Sequence, residues 1–226
     1  MRIPNARILL SSQVIANSVL TLLLTLLLCT CDRAPQAPPT SIVGNVRYDE
    51  STQILKVDVA VDPLENGFPS LFGSAIPAFL AAGPGHFRDR RTLPFTSPLT
   101  FSVPCATSNC PLELIFSPPF ADSIPAVINK KQSVHFAAGS TGLLETEYLE
   151  AFFESEDRSA PRRILLKGPT SSGIFRLPKE ALSNIPAGKY QVYLIKQQLH
   201  KDSLSTLQSS IQMEYFTSMV PVEVKE

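Results

Sequence analysis

Alternation of apolar and polar positions dominates the chain beyond residue 42 and predicts short strands. In residues 54–61, Leu55, Val57, Val59 and Val61 fall on one face, while Lys56 and Asp58 fall on the other. Residues 44–48 alternate in the same way, and Asp49-Glu50-Ser51-Thr52 between the two runs is turn chemistry, so the pair reads as a β-hairpin. Residues 99–103 and 112–116 predict the next two strands. Further strands are expected at 133–137, 148–154, 163–167, 173–178, 190–197, 211–216 and 220–224. Residues 179–184 predict one helical turn, and 75–82 either a strand or a helical turn. Short strands at regular spacing, separated by turn residues, argue an all-β sandwich. Ser117-Pro118-Pro119-Phe120 reads as a junction. The expected layout is therefore one or two sandwich units, divided as 42–117 and 118–226.

The first thirty residues follow a different pattern. Arg2 and Arg7 are followed by ten residues, 19–28, that are apolar apart from two threonines. A basic start, a short apolar stretch and a following polar, Pro-rich segment predict a secretory signal peptide over 1–30. The competing reading is a membrane-spanning helix. The run 8–28 reaches the roughly 20 residues a span needs, but Ser11, Ser12, Gln13, Asn17 and Ser18 dilute its first half. Leu28-Cys29-Thr30-Cys31 resembles a bacterial lipobox, with Leu28 at the leucine position and Cys31 at the cysteine. The resemblance implies cleavage before Cys31 and diacylglycerol on its thiol. Each buried methylene contributes about 0.8 kcal/mol, so several chains on one cysteine anchor stably. Residues 31–41, rich in proline, then read as a lipid-anchored tether.

Charge narrows the partners. The chain holds 20 Lys+Arg and 20 Asp+Glu, and beyond residue 30 acids exceed bases by two. No strongly basic footprint for nucleic acid follows from that balance. A 44% hydrophobic content also excludes a charge-driven disordered chain. Twenty prolines, 13 phenylalanines and no tryptophan agree with strands and turns.

Candidate chemistry is sparse. After Cys31 only Cys105 and Cys110 remain, in Cys-Ala-Thr-Ser-Asn-Cys. In an oxidising compartment the pair predicts a small disulfide loop pinning the turn between two strands, with free thiols as the alternative. Two thiols do not make a four-ligand metal site, and a redox motif needs tighter spacing. His86, His135 and His200 are scattered singly. Glu145, Glu147, Glu150, Glu154, Glu156 and Asp157 form the densest acidic run, without the order of a calcium loop; a solvated strand edge and turn is the simpler reading. His86-Phe87-Arg88-Asp89-Arg90-Arg91 is the densest basic run and reads as a solvated loop. No nucleophile elbow, phosphate-binding glycine loop or zinc-protease string occurs, so neither a catalytic residue nor a cofactor is assigned.

Two longer resemblances bear on fold and location. Leu182-Ser183-Asn184-Ile185-Pro186-Ala187-Gly188-Lys189-Tyr190-Gln191-Val192-Tyr193-Leu194 resembles the corner before the sixth strand of immunoglobulin-like and fibronectin-like domains. The resemblance implies that Tyr190 packs its ring in the core while its hydroxyl bonds nearby backbone. The whole chain resembles exported lipoproteins of some Gram-negative bacteria, through Arg47-Tyr48-Asp49, Gly168-Pro169-Thr170-Ser171 and Glu214-Tyr215-Phe216-Thr217-Ser218. That resemblance implies location and fold, and no site residue. The expectation is a cell-envelope protein held to the membrane by lipid, periplasmic or surface-exposed. Its role would be binding or structural, with an envelope protein as partner and no nucleic acid. The alternatives are an envelope hydrolase with an unrecognised site and a subunit of a surface assembly that pairs through a strand edge.

Overall fold

The computed structural model describes residues 38–64, 67–106, 108–155 and 161–226. The signal peptide, Cys31 and the tether up to residue 37 lie outside the described residues, as do Glu156 and Asp157. Among the described residues the strands are β1 (Thr40–Asp49), β2 (Ile54–Asp62), β3 (Ser70–Leu71), β4 (Ser74–Ala75), β5 (His86–Thr92), β6 (Leu99–Pro104), β7 (Asn109–Leu114), β8 (Val127–Asn129), β9 (Val134–Ala137), β10 (Glu147–Ser155), β11 (Arg162–Lys167), β12 (Ile174–Leu177), β13 (Gly188–Ser203), β14 (Leu207–Phe216) and β15 (Val220–Lys225). A single α-helical turn, α1 (Lys179–Leu182), follows β12. The fold is all-β and layered as a sandwich, as the alternation predicted.

Nine strands form one sheet in the order β11-β10-β13-β14-β1-β2-β5, with β15 and β8 branching from β13. The 16-residue β13 is the spine. Its first part, from Gly188 to Val192, pairs with β15; its second, from Ile195 to Ser203, pairs with β14. Two smaller sheets cover this one, β4-β3-β6-β7 and β12-β9.

Two cores result. The first gathers Ile42, Val46, Leu55, Val57 and Val59 of β1 and β2 against Leu99, Phe101, Leu112 and Leu114 of β6 and β7. The second gathers Leu149, Ala151, Phe153, Val192 and Leu194 against Phe136, Phe175 and Leu182. The expected boundary at 117/118 falls between Phe116 of the first core and Ala121 of the second. The chain nevertheless crosses it: β14 returns to lie parallel to β1 and places Leu207, Ile211, Met213 and Tyr215 in the first core.

Local chemistry explains several elements. The β1–β2 turn is held by Asp49, whose carboxylate accepts from the Ser51 hydroxyl at 2.7 Å and from the Ser51 backbone N–H at 3.0 Å. These bonds hold the Asp49 carboxyl below its ordinary range, against the opposing effect of burial. Tyr190 packs at the edge of Phe153 and donates its hydroxyl to Pro186 O at 2.9 Å, the corner bond that the sequence resemblance implied. The basic run is not a loop. His86–Thr92 is β5, antiparallel to β2, with Phe87 buried in the first core. Its charges hid the strand, because Arg88 and Arg90 point outward while Asp89 and Arg91, on the inner side, pair with each other.

Candidate functional site

Arg47-Tyr48-Asp49 and Glu214-Tyr215-Phe216 pair with each other at the seam between the two cores. On the inner face, Tyr48 and Tyr215 lie 5.2 Å apart by ring centroids, and Phe95 sits 5.1 Å from each. Phe116 closes this cluster. Glu50 ties the β1–β2 turn to the end of β14. Its carboxylate accepts from the Tyr215 hydroxyl at 3.2 Å and from the Ser218 N–H at 2.7 Å. Burial first, and then the Glu50 charge, push the Tyr215 hydroxyl well above its ordinary range. Thr217 accepts from the Leu194 N–H at 2.9 Å and returns its own N–H to Leu194 O at 2.9 Å. This motif is thus the stitch between β13 and β14.

The outer face carries a second ladder over the same seam. Phe152 of β10 stacks on Tyr193 of β13 at 5.3 Å, Tyr193 stacks on Phe216 of β14 at 6.5 Å, and the Arg47 guanidinium of β1 lies 3.7 Å over Phe216. Tyr193 donates to Glu154 at 2.9 Å. Desolvation, reinforced by that carboxylate, pushes the Tyr193 hydroxyl up to about 12. A raised folded-state pKa keeps its stabilising contribution below the ordinary value of 10 and loses it as the pH rises through the folded value. The denaturation midpoint is therefore expected to fall between pH 10 and about 12. Tyr193→Phe is expected to flatten that fall, as read from urea titrations across the window. An unchanged slope would show that other groups cause it.

Beside the inner cluster lies a buried ion pair. Lys196, on the inner face of β13, meets Glu147 at the start of β10 at 2.8 Å, with side-chain exposures of 7% and 4%. The ammonium also donates to Ser117 O at 3.0 Å and lies 5.1 Å from the Phe116 ring centroid. The other Glu147 oxygen accepts from the Leu144 N–H at 2.8 Å. The junction expected at residues 117–120 is therefore clamped by a charge pair from the second unit.

Gly168-Pro169-Thr170-Ser171 is also structural. A Cβ on Gly168 would lie 1.9 Å from Leu144 O, and one on Gly142 would lie 1.9 Å from Thr170 O. Thr170 Oγ1 accepts from the Leu143 N–H at 2.8 Å. Gly139-Ser140-Thr141-Gly142 belongs to the same loop-to-loop contact.

The other candidate residues disperse. Cys105 and Cys110 form a disulfide, with Cα atoms 6.0 Å apart. Cys110 Sγ lies 3.7 Å from Thr206 Oγ1, so the bridge braces the β6–β7 hairpin against the β13–β14 turn. In the acidic run, Glu147 is buried with Lys196, Glu150 lies 3.9 Å from Arg163 and Glu154 meets Tyr193. Arg88 pairs with Asp58 and stacks on Phe79. Among the described residues no three His, Cys, Asp or Glu side chains converge as a metal site. His200 Nε2 and Ser209 Oγ, on neighbouring strands, are buried and have no hydrogen-bond partner among the described residues.

Two surface features remain without a structural task. One is a groove of about 500 Å³ beside β11, lined by Arg162, Ile164, Leu165, Ala181, Asn184 and Ile185. The other is a shallower depression of about 420 Å³ across the ends of β1, β14 and β13, lined mainly by serines together with Val43, Lys201 and Gln208. β11 ends the nine-stranded sheet and pairs only with β10 among the described strands. Among the described residues its outer backbone has no strand partner.

No protein-family model matches this chain, and no curated protein does. Sequence reasoning found the disulfide and the tyrosine corner, because both are local. It missed the Lys196–Glu147 pair and the open β11 edge. The available signal for the pair was a lone lysine at the apolar register of Tyr190, Val192 and Leu194, on the face that alternation assigns to the core.

Proposed function

We propose that this is an exported, lipid-anchored cell-envelope protein with a non-enzymatic binding or architectural role, built from two immunoglobulin-like sandwich units. The observation that carries this reading is the seam. β13 of the second core pairs with β14, which supplies four side chains to the first, and the aromatic ladder outside, the Tyr48–Tyr215 cluster inside and the Lys196–Glu147 pair beside it oppose hinging. Such a body presents surfaces at fixed spacing, which suits recognition or scaffolding. The tyrosine corner supports the immunoglobulin-like assignment. Cys31, placed as a lipobox cysteine, supports the membrane anchor.

The test is the intact mass of the membrane-extracted protein beside its Cys31→Ala variant. The reading expects a mature chain that starts at Cys31 and carries acyl mass, with the acylation lost in the variant. A chain retaining residues 1–30 would make it a single-span membrane protein, and an unacylated chain cut elsewhere would make it a soluble exported one. Crosslinking in the intact envelope then addresses the partner. Hydrolysis of a cell-wall glycan by the purified protein, abolished by one acid substitution, would overturn the non-enzymatic role.

A further inference from the structure

The open edge of β11 differs from the edge at the opposite end of the same sheet. β5, at the opposite end of the sheet, is partly covered: Ala78 bridges to Phe87, the Arg88 N–H donates to Pro77 O at 3.0 Å, and the Phe79 N–H donates to His86 O at 2.8 Å. β11 has no such cover among the described residues. An edge strand displays a row of unpaired N–H and C=O groups, a template for another extended chain. β11 also has an apolar middle, Ile164-Leu165-Leu166. Ile164 and Leu166 pack toward the second core, while Leu165 is 45% exposed. The groove beside this edge is lined by Arg162, Arg163 and Asn184 together with the apolar Ile164, Ala181 and Ile185.

Charge selects the occupant. Arg162, Arg163 and Lys167 are exposed on this one strand. Among the described residues Arg163 meets Glu150 at 3.9 Å, and Lys167 lies 5.8 Å over the Tyr148 ring. Charged edges usually repel unwanted strands, and these cations do repel a second copy of β11, because like charges placed opposite each other destabilise a ladder. The same cations attract an acidic strand, since each opposite-charge cross-strand pair contributes favourably. Alternation adds a pattern. On an added strand, residues facing Arg163 and Lys167 lie on the outer face, and those between them turn toward the groove.

We propose that β11 is a docking edge for an extended acidic segment of a partner protein, in which acidic and apolar residues alternate. The segment adds as a further strand to the nine-stranded sheet. Its carboxylates meet Arg163 and Lys167, and its apolar side chains enter the groove over Ile164 and Ile185. This rests on the binding role proposed above and gives it a partner chemistry.

The test uses the full mature chain in detergent and a fluorescent eight-residue peptide of alternating Glu and Val. Binding is read by anisotropy, and edge pairing by amide-exchange protection of residues 162–167. The proposal expects saturable binding, new protection at those amides, and loss of about tenfold or more in affinity in the Arg163→Glu/Lys167→Glu variant. That variant should instead gain binding to the matching Lys-Val peptide, which shows that it is still folded. The same Glu-Val peptide, N-methylated at alternate amides, should bind at least about tenfold more weakly, because it cannot complete the ladder. Equal binding of the methylated peptide would reduce the contact to surface charge and overturn the proposal. So would protection appearing elsewhere, or self-association of the chain through β11. The Cys31→Ala chain should bind the peptide equally, so failure of the lipid anchor is distinguishable from failure of the edge.

Discussion

Replacing Lys196 by alanine is expected to cost about 3–5 kcal/mol of folding stability, because it strands a buried carboxylate. Glu147 is 4% exposed, and its remaining donor would be the Leu144 N–H at 2.8 Å. The loss reaches beyond the carboxylate. Ser117 O would lose its donor at 3.0 Å, and the Phe116 ring would lose the cation beside it. Removing both charges together has a different expected outcome. In the double variant Glu147→Gln, Lys196→Met the desolvation cost of both ions disappears, and such replacements are often neutral or stabilising. Urea midpoints of the single and double variants give the comparison. A single variant as stable as the double would show that the pair is open to water. A destabilised single variant should also raise amide exchange on both sides of the seam, since Ser117 and β10 are held by the same lysine.

A fragment spanning residues 38–117 is expected to remain unfolded, although it contains the whole predicted first unit. It lacks β14, and with it the side chains of Leu207, Ile211, Met213 and Tyr215, which are between 0% and 5% exposed in the first core. Burying one large apolar side chain contributes about 1.5–3 kcal/mol, so the four together rival the roughly 5–15 kcal/mol that holds a whole domain. The fragment would also expose the edge of β1 along its full register with β14, from Thr40 to Asp49. Circular dichroism and amide exchange of the fragment test this. Adding a peptide of residues 204–219 in trans should restore protection in β1. A fragment that folds cooperatively alone would show that β14 only caps a self-sufficient unit.

Sequence and structure part company at identifiable places. The alternation in residues 54–61 assigned the buried face of β2 correctly, since Leu55, Val57, Val59 and Val61 all lie in the first core. Residues 86–91 failed because their polarity masked a strand that buries Phe87 and pairs its inner charges, Asp89 and Arg91. The alternation that predicts β13 ends near Gln197, yet the strand runs to Ser203. Its inner face passes from Leu194 in the second core, through buried Lys196, to Gln198 and His200, so the apolar signal stops before the strand does. The candidate site was less legible still. An open edge is a property of the assembled sheet, and Arg162, Arg163 and Lys167 look the same in sequence whether a neighbour covers them or not.

By itself the sequence determined what is decided within a few residues: the strands with clear alternation, the Asp49 turn, the tyrosine corner and the disulfide, whose partners are five positions apart. These follow from steric preference, hydrogen-bonding groups and short loop closure, which act locally. Only the tertiary structure decided that β14 lies parallel to β1, that Glu50 meets Tyr215 across 165 positions, that Lys196 answers Glu147, and that β11 is left open. The physical reason is that alternation tells a strand which face to bury and leaves its neighbours unspecified. Those neighbours are chosen by the packing of the two cores and by the cost of leaving a buried charge alone.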